Sequence, residues 1–310
     1  MNVTTDTARS PLTGRPAPAA LFSVADLSGR VLAVIVLVGF TVFFALPIVW
    51  LLLATTKSAE GLNTLNPFAF GSWGQLGSNW SQLIEYQGGA VGNWLANSAF
   101  YSLAALALTL TASIPAGYAL ALTDFALRRA LMIVTLVVML IPNTALVLPI
   151  FLELNLVGLI GNPLSVVLPF SFFPFGVYLT YIYFSTSIPR DLLAAARIDG
   201  CNELQVFLQI AMPLAAPVVA LVAFFSFVQN WNNFFLPFVM LPSSDGYPMQ
   251  IGLTSLLSST TAFNPTAGAG GIELPTLAIA TVVSIAPVLV VFLFSQRFLI
   301  EGLTTGGTKE

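Results

Sequence analysis

Pro189–Pro217, PRDLLAAARIDGCNELQVFLQIAMPLAAP, is a polar interruption between two strongly apolar runs. Ser187 and Pro189, with Asp191 in the first turn, form a helix-start signal. Good helix formers follow from Leu192 to Ile198, with Ala194, Ala195 and Ala196 at the centre. Gly200 supplies a left-handed stop, after which Glu203–Ile210 reads as a second short helix and Pro213 opens the next apolar run. The stretch therefore reads as a short helical hairpin held outside a bilayer. Ile188, Leu192, Ala195 and Asp199 fall on one face, a strip that an adjacent protein can cover; Arg190 and Arg197 lie off it, free to meet acids. From physics alone, a loop helix resting on the membrane surface fits equally well.

Composition sets the frame for this hairpin. Apolar residues make up 57% of the 310 and charged residues 7%. A helix crosses a ~30 Å hydrocarbon layer in about 20 residues. Runs of that order occur at Val31–Ala54 and near residues 98–122, 130–151, 164–184, 214–235 and 274–294. The first is too long for a secretory signal core and lacks a small-residue cleavage site, so it reads as a retained span. The expected fold is all-α, with six transmembrane helices and a short cytoplasmic helix between the fourth and fifth. Its divisions are a mobile cytoplasmic tail over 1–30, the first span at 31–54, a core over 97–296 with five transmembrane helices and the polar loop at 187–213, and a cytoplasmic tail at 297–310. With both termini on one side, that side holds every Lys and Arg except Lys57, which makes it cytoplasmic by the positive-inside rule.

Within the spans, Ala105, Thr109, Ser113, Gly117 and Ala121 form a stripe of small side chains that suits close helix packing or the lining of a pathway. Pro115, Pro142, Pro169 and Pro174 are expected to bend their helices. Residues 57–93 and 242–272 read as polar loops, with Trp73, Trp80, Tyr86 and Trp94 at headgroup level. Glu153 and Asn155 are placed in a short loop.

Several chemistries are excluded. Histidine is absent and Cys201 is the one cysteine, which removes an internal disulfide, the usual zinc and haem ligands, and any Ser-His or Cys-His pair. No catalytic residue, metal site or cofactor is expected. The chain has no G-x-x-x-x-G-K-[ST] phosphate loop, so a nucleotide-powered process needs a partner. Asp124, Glu153 and Glu273 sit at span ends, leaving no obvious mid-membrane site for ion coupling. Gln229, Asn230, Trp231, Asn232 and Asn233 form an uncharged hydrogen-bonding cluster around an aromatic ring. It suits a sugar pathway, and equally well interhelical hydrogen bonds or a place among headgroups.

Ala195-Ala196, Asp199-Gly200, Ile210 and Pro213 have the identity and spacing of the loop that couples binding-protein-dependent ABC importer permeases to their ATPase. The ordered resemblance extends from about Asn97 through Trp231-Asn232 to Gln296-Arg297-Phe298, Gly302-Leu303-Thr304, Gly306 and Lys309, and is similar to the carbohydrate-uptake, maltose-transporter type. It implies that 97–296 is a permease core, that the cytoplasmic helix in the 187–213 loop is a coupling helix, and that Arg190, Asp191, Leu192, Ala194, Ala195, Ala196, Arg197, Asp199, Gly200, Ile210 and Pro213 dock on an ATPase. It further implies two ABC ATPase subunits, a second permease (a heterodimer is usual in this branch) and an extracytoplasmic solute-binding protein, in the lipid of a bacterial inner membrane, with no nucleic acid. The expected activity is therefore a transport subunit for a sugar or oligosaccharide rather than an enzyme. A polyol or glycerol phosphate, or a secondary transporter or facilitator, are the rival readings. Ala194 stands where the family usually has Glu. Pairings of such a Glu with Arg190 or Arg197 are worth ~0.2–0.5 kcal/mol each, leaving Asp191 or Glu203 to compensate.

Overall fold

The computed structural model describes residues 24–264, 266 and 271–304, with side chains over 29–298 apart from 265 and 267–270. The expected N-terminal tail up to residue 23, and Gly306 and Lys309, lie outside the described residues. Among the described residues, the regular secondary structure is helical apart from one isolated bridge, between Thr260 and Ile272. The chain divides after Trp50. The first unit holds most of α1 (Val24–Ala54), whose apolar segment Gly29–Ala54 has a mean hydropathy of 2.8 and is long enough to cross a membrane.

The second unit is built around α4 (Ala90–Leu122), a 33-residue helix. Its small-residue stripe is buried along its whole length. A Cβ on Gly117 would stand 2.0 Å from Thr180 Oγ1 on α8 (Pro174–Thr186). The Thr180 hydroxyl donates to Ser113 O at 3.0 Å, and the Thr109 hydroxyl donates to Ser171 O on α7 (Leu164–Ser171) at 3.1 Å. The stripe is thus a packing surface that lets neighbouring backbones approach closely.

Among the described residues, four helical segments are long and apolar enough to cross a membrane, and two sharply bent pairs raise the number to six if each pair is one span. The third expected span is not a kinked helix but two helices, α5 (Arg128–Met139) and α6 (Asn143–Leu156), at 107° to one another. Pro142 has no N–H to continue the ladder and its ring opposes α conformation upstream, so the chain tightens at Leu140 and Ile141 and restarts at Asn143. Glu153 and Asn155 accordingly lie in the last turns of α6, not in a loop. The fourth span breaks at Phe172–Phe173, where Pro174 forces extended backbone before α8, whereas Pro169 stays inside α7.

The two polar loops are more ordered than expected. The first contains α2 (Ala59–Thr64) and α3 (Trp73–Glu85), capped by Ser58 and Ser72. Lys57 is buried, its ammonium donating to the carbonyls of Asn66 and Pro67 at 2.8 and 3.0 Å. Trp94 and Tyr86 leave the expected headgroup positions for a buried cluster with Met249, Leu256 and Ile279, while Trp73 and Trp80 remain exposed. Trp94 donates to Ser244 O and lies against Gly252 of α14 (Met249–Ser259), where a Cβ would meet the indole at 2.1 Å. The last helix, α15 (Leu274–Thr304), continues beyond the expected span end, so residues 297–304 are helical.

Candidate coupling hairpin and polar cavity

The hairpin begins with α9 (Arg190–Ile198). Pro189 occupies its N-cap without a side-chain cap, and Ser187 ends α8 instead of starting α9. At the other end, the Gly200 N–H reaches Arg197 O and the Cys201 N–H reaches Ala196 O, the paired bonds of a Schellman stop. Gly200 has φ +90° and a Cβ there would meet nothing, so the demand for glycine is conformational rather than steric. Asn202 then caps α10 (Glu203–Gln205) in a reciprocal box with Gln205. The expected second helix does not continue as α. Val206–Ala211 is a π segment, followed by α11 (Met212–Leu214). Pro213 cannot donate to Gln209, and Met212 N–H bonds to Phe207 O instead.

The packing divides α9 differently from the strip anticipated above. Ile188, Leu193 and Ala196 are buried in the chain's own core with Phe184, Val206 and Val218. Ile188 is therefore unavailable to a partner, and Ala196 faces inward because it lies three residues after Leu193, on the same helical face. Leu192, Ala194, Ala195 and Asp199 remain exposed, as do Arg190, Asp191 and Ile198. Ile210 is half-buried against the core and Pro213 is exposed. Arg197 holds Glu203 in a two-pronged ion pair across the Gly200 turn, at 2.7 and 3.2 Å. That hydrogen-bonded guanidinium holds the Glu203 carboxyl below its usual range, and Glu203 raises Arg197 in return. With Ala at position 194, the partner of Arg197 is thus Glu203, and Asp191 forms no ion pair among the described residues.

The polar cluster on α12 (Ala216–Trp231) splits between two faces. Asn230 and Trp231 are buried; the Trp231 indole stacks on Phe227 and donates to Ser284 O of α15 at 2.9 Å. Asn230 reaches Ser226 Oγ at 3.4 Å. The Asn232 amide, just past the helix, returns to Val228 O and is spent locally. Gln229 lines two adjoining cavities of about 80 and 250 Å³, and Asn233, four residues on, lines the smaller one. Asn143 and Thr144 line these cavities at the α5–α6 break, and Phe172, Phe173 and Phe175 at the α7–α8 break. No charged side chain lines either cavity. In the sequence Pro142 marks only a bend, and the amide immediately after that proline is the signal that points to Asn143. Asn233 also accepts from Leu236 N–H, at the start of α13 (Phe235–Met240). Among the described residues, no group of three or more His, Cys, Asp and Glu side chains is placed to hold a metal ion.

These features define a polytopic helical membrane protein with an exposed hairpin and an uncharged cavity beside two broken spans. Residues 113–304 match the family described as "binding-protein-dependent transport system inner membrane component", and the chain belongs to that family. It is a membrane transport permease. It is 34% identical over 226 residues to the arabinooligosaccharides transport system permease protein AraQ of Halalkalibacterium halodurans, covering 73% of this chain and 77% of the relative. To the diacetylchitobiose uptake system permease protein NgcG of Streptomyces coelicolor it is 28% identical over 275 residues, covering 87% and 86%. In fold it is similar to a chain of a bacterial ABC transporter that imports the acidic polysaccharide alginate, with a TM-score of 0.78 at 24% identity, covering 89% of this chain and 98% of that one.

Proposed function

We propose that this permease subunit serves an ATP-driven importer of a neutral sugar or oligosaccharide, with ATP bound and hydrolysed in separate subunits docked on the hairpin. The observation that carries this reading is the division of α9. Leu193 and Ala196 anchor it in the core while Leu192, Ala194, Ala195 and Ile198 stay uncovered beside a glycine-set turn. An apolar-and-small face fixed on a rigid anchor suits a protein groove. The sugar class is supported by the relatives' names and by amides and phenyl rings, without charge, along the cavity. Gln229 and Asn233 are assigned to the pathway directly, Asn230 and Trp231 to its wall, and Asn232 to its edge. The complete importer comprises two different permeases, two ATPases and an extracytoplasmic solute-binding protein. Both termini and the hairpin lie in the cytoplasm, and motion of the hairpin alternates the access of the pathway.

Reconstitution tests this reading. Proteoliposomes containing both permeases and the ATPases, supplied with the binding protein and a labelled oligosaccharide, should take it up only with internal ATP. Uptake that persists without the ATPase would overturn the ATP-driven reading in favour of a secondary transporter.

A further inference from the structure

Tyr118 lies near the hairpin end of α4 and is only 6% exposed. Its ring is met edge-on by Phe184 of α8, with centroids 5.5 Å apart, and at a tilt by Phe207 of the π segment at 4.9 Å. Its hydroxyl is a buried side-chain oxygen with no hydrogen-bond partner among the described residues. Buried polar groups are nearly always paired, so an exception of this kind calls for a physical cause. The charged groups that act on this hydroxyl are Glu203 and Arg197. Both lie close enough to interact with the phenol by charge and by a weak, poorly aligned hydrogen bond, but neither meets the oxygen at ordinary hydrogen-bond distance and angle. Glu203 is engaged with Arg197 instead.

Two further features make this arrangement a joint. Glu203 stands at the start of the arm that passes into the π segment Val206–Ala211. A π turn carries one residue more than its α equivalent and recurs at functional sites. Val206, inside that segment, is fully buried against the same core as Tyr118. The arm therefore has a deformable register where it grips α4, next to an oxygen awaiting a partner.

We propose that Tyr118 is a positioning residue for transport: a latch that accepts Glu203 when the hairpin moves. As the hairpin is displaced, the Glu203 carboxylate exchanges part of its bonding to Arg197 for the Tyr118 hydroxyl, which donates to it. Displacement is thereby passed into α4 rather than absorbed by bending of the 203–211 arm. This inference rests on the proposed coupling role of the hairpin and adds to it the residue that receives the motion.

The test uses Tyr118→Phe, which keeps the ring and removes only the hydroxyl, with Glu203→Gln and the double variant, all in the assembled importer. Two quantities are read: sugar taken up per ATP hydrolysed, and the rate at which a maleimide labels Cys201, which is half-buried in the turn. Tyr118→Phe should lower uptake per ATP about tenfold, the order of one hydrogen bond to a charged group, and should alter the nucleotide-driven change in Cys201 labelling. The double variant should fall no further than the worse single one, because both break the same contact. The latch is overturned if Tyr118→Phe matches the native complex in both readouts, or if the two single effects multiply. A native complex without ATP-dependent uptake would instead defeat the proposed function. The nucleotide-driven labelling change would then decide the latch alone: its alteration in Tyr118→Phe supports the latch, and its preservation refutes it.

Discussion

The hairpin and the polar cluster on α12 are two polar interruptions in an apolar chain, and they are built on opposite principles. The hairpin takes its shape from local chemistry: a glycine at φ +90°, a Schellman stop and a capping box, all within Ala196–Gln205. The Gln229–Asn233 cluster has no local design of that kind. Its five side chains acquire different roles because neighbouring elements cover one face of α12 and leave another open. A locally coded element can be read from the chain alone; one whose meaning depends on its neighbours cannot.

The contrast is sharpest in substitutions, and Trp231→Ala should have the largest effect. It removes a buried ring stacked on Phe227 and bonded to α15, at a cost of ~3–5 kcal/mol, which a fall in the thermal unfolding temperature of the purified complex would report. If stability were unchanged, Trp231 would belong to the open face. Gly200→Val comes next. A β-branched residue in the left-handed region costs about 1–2 kcal/mol, concentrated in the turn, so ATPase co-purification and uptake should fall while the folded permease persists. Gln229→Leu should lower uptake several-fold with unfolding within ~0.5 kcal/mol of native; Asn233→Leu should lower uptake likewise and also cost about 1 kcal/mol through its lost bond to Leu236 N–H, whereas Asn232→Leu should leave uptake nearly intact. Equal losses at all three positions would erase the division into faces.

The smallest effect concerns the exposed ion pair across the turn, worth ~0–1 kcal/mol. The carboxyl of Glu203 is depressed in the folded state, first by its hydrogen bond from Arg197. Its contribution is therefore complete above the ordinary Glu range, near pH 4.3, and is lost as pH falls through the lower folded value. Amide exchange at Gly200 and Cys201 should accordingly show no change attributable to this pair between pH 8 and 6, after correction for intrinsic exchange rates. Loss of protection should appear only in acid and be absent in Glu203→Gln.

The sequence made much of this legible. Long apolar runs marked the spans, and Asp199-Gly200 marked the turn, because one residue type at one φ is enough to end a helix. The sequence offers Asp191 and Glu203 as stand-ins for the Glu missing at 194, but only the folded turn brings Glu203 to Arg197. The 107° break at Pro142 was not legible, since proline signals interruption but tertiary contacts set the angle. Nor was the burial of Trp94. An indole suits an interface as well as a core, and only the glycine at 252, far along the chain, creates its slot. Helical periodicity does separate Gln229 and Asn233 from Asn230, but which face opens on the cavity is decided by α6, α7 and α15. Ile188 illustrates the same point on the hairpin: its spacing from Leu192 is right for a shared strip, and the core under α8 takes it instead.

The coupling role proposed for this hairpin requires it to face the cell interior, where a separate motor can grip it. Cys201 is the only cysteine in the chain and sits in the turn itself, so a membrane-impermeant maleimide applied to sealed vesicles of either orientation reads its side directly. Labelling of inside-out vesicles alone is the predicted result; labelling of right-side-out vesicles would contradict the account.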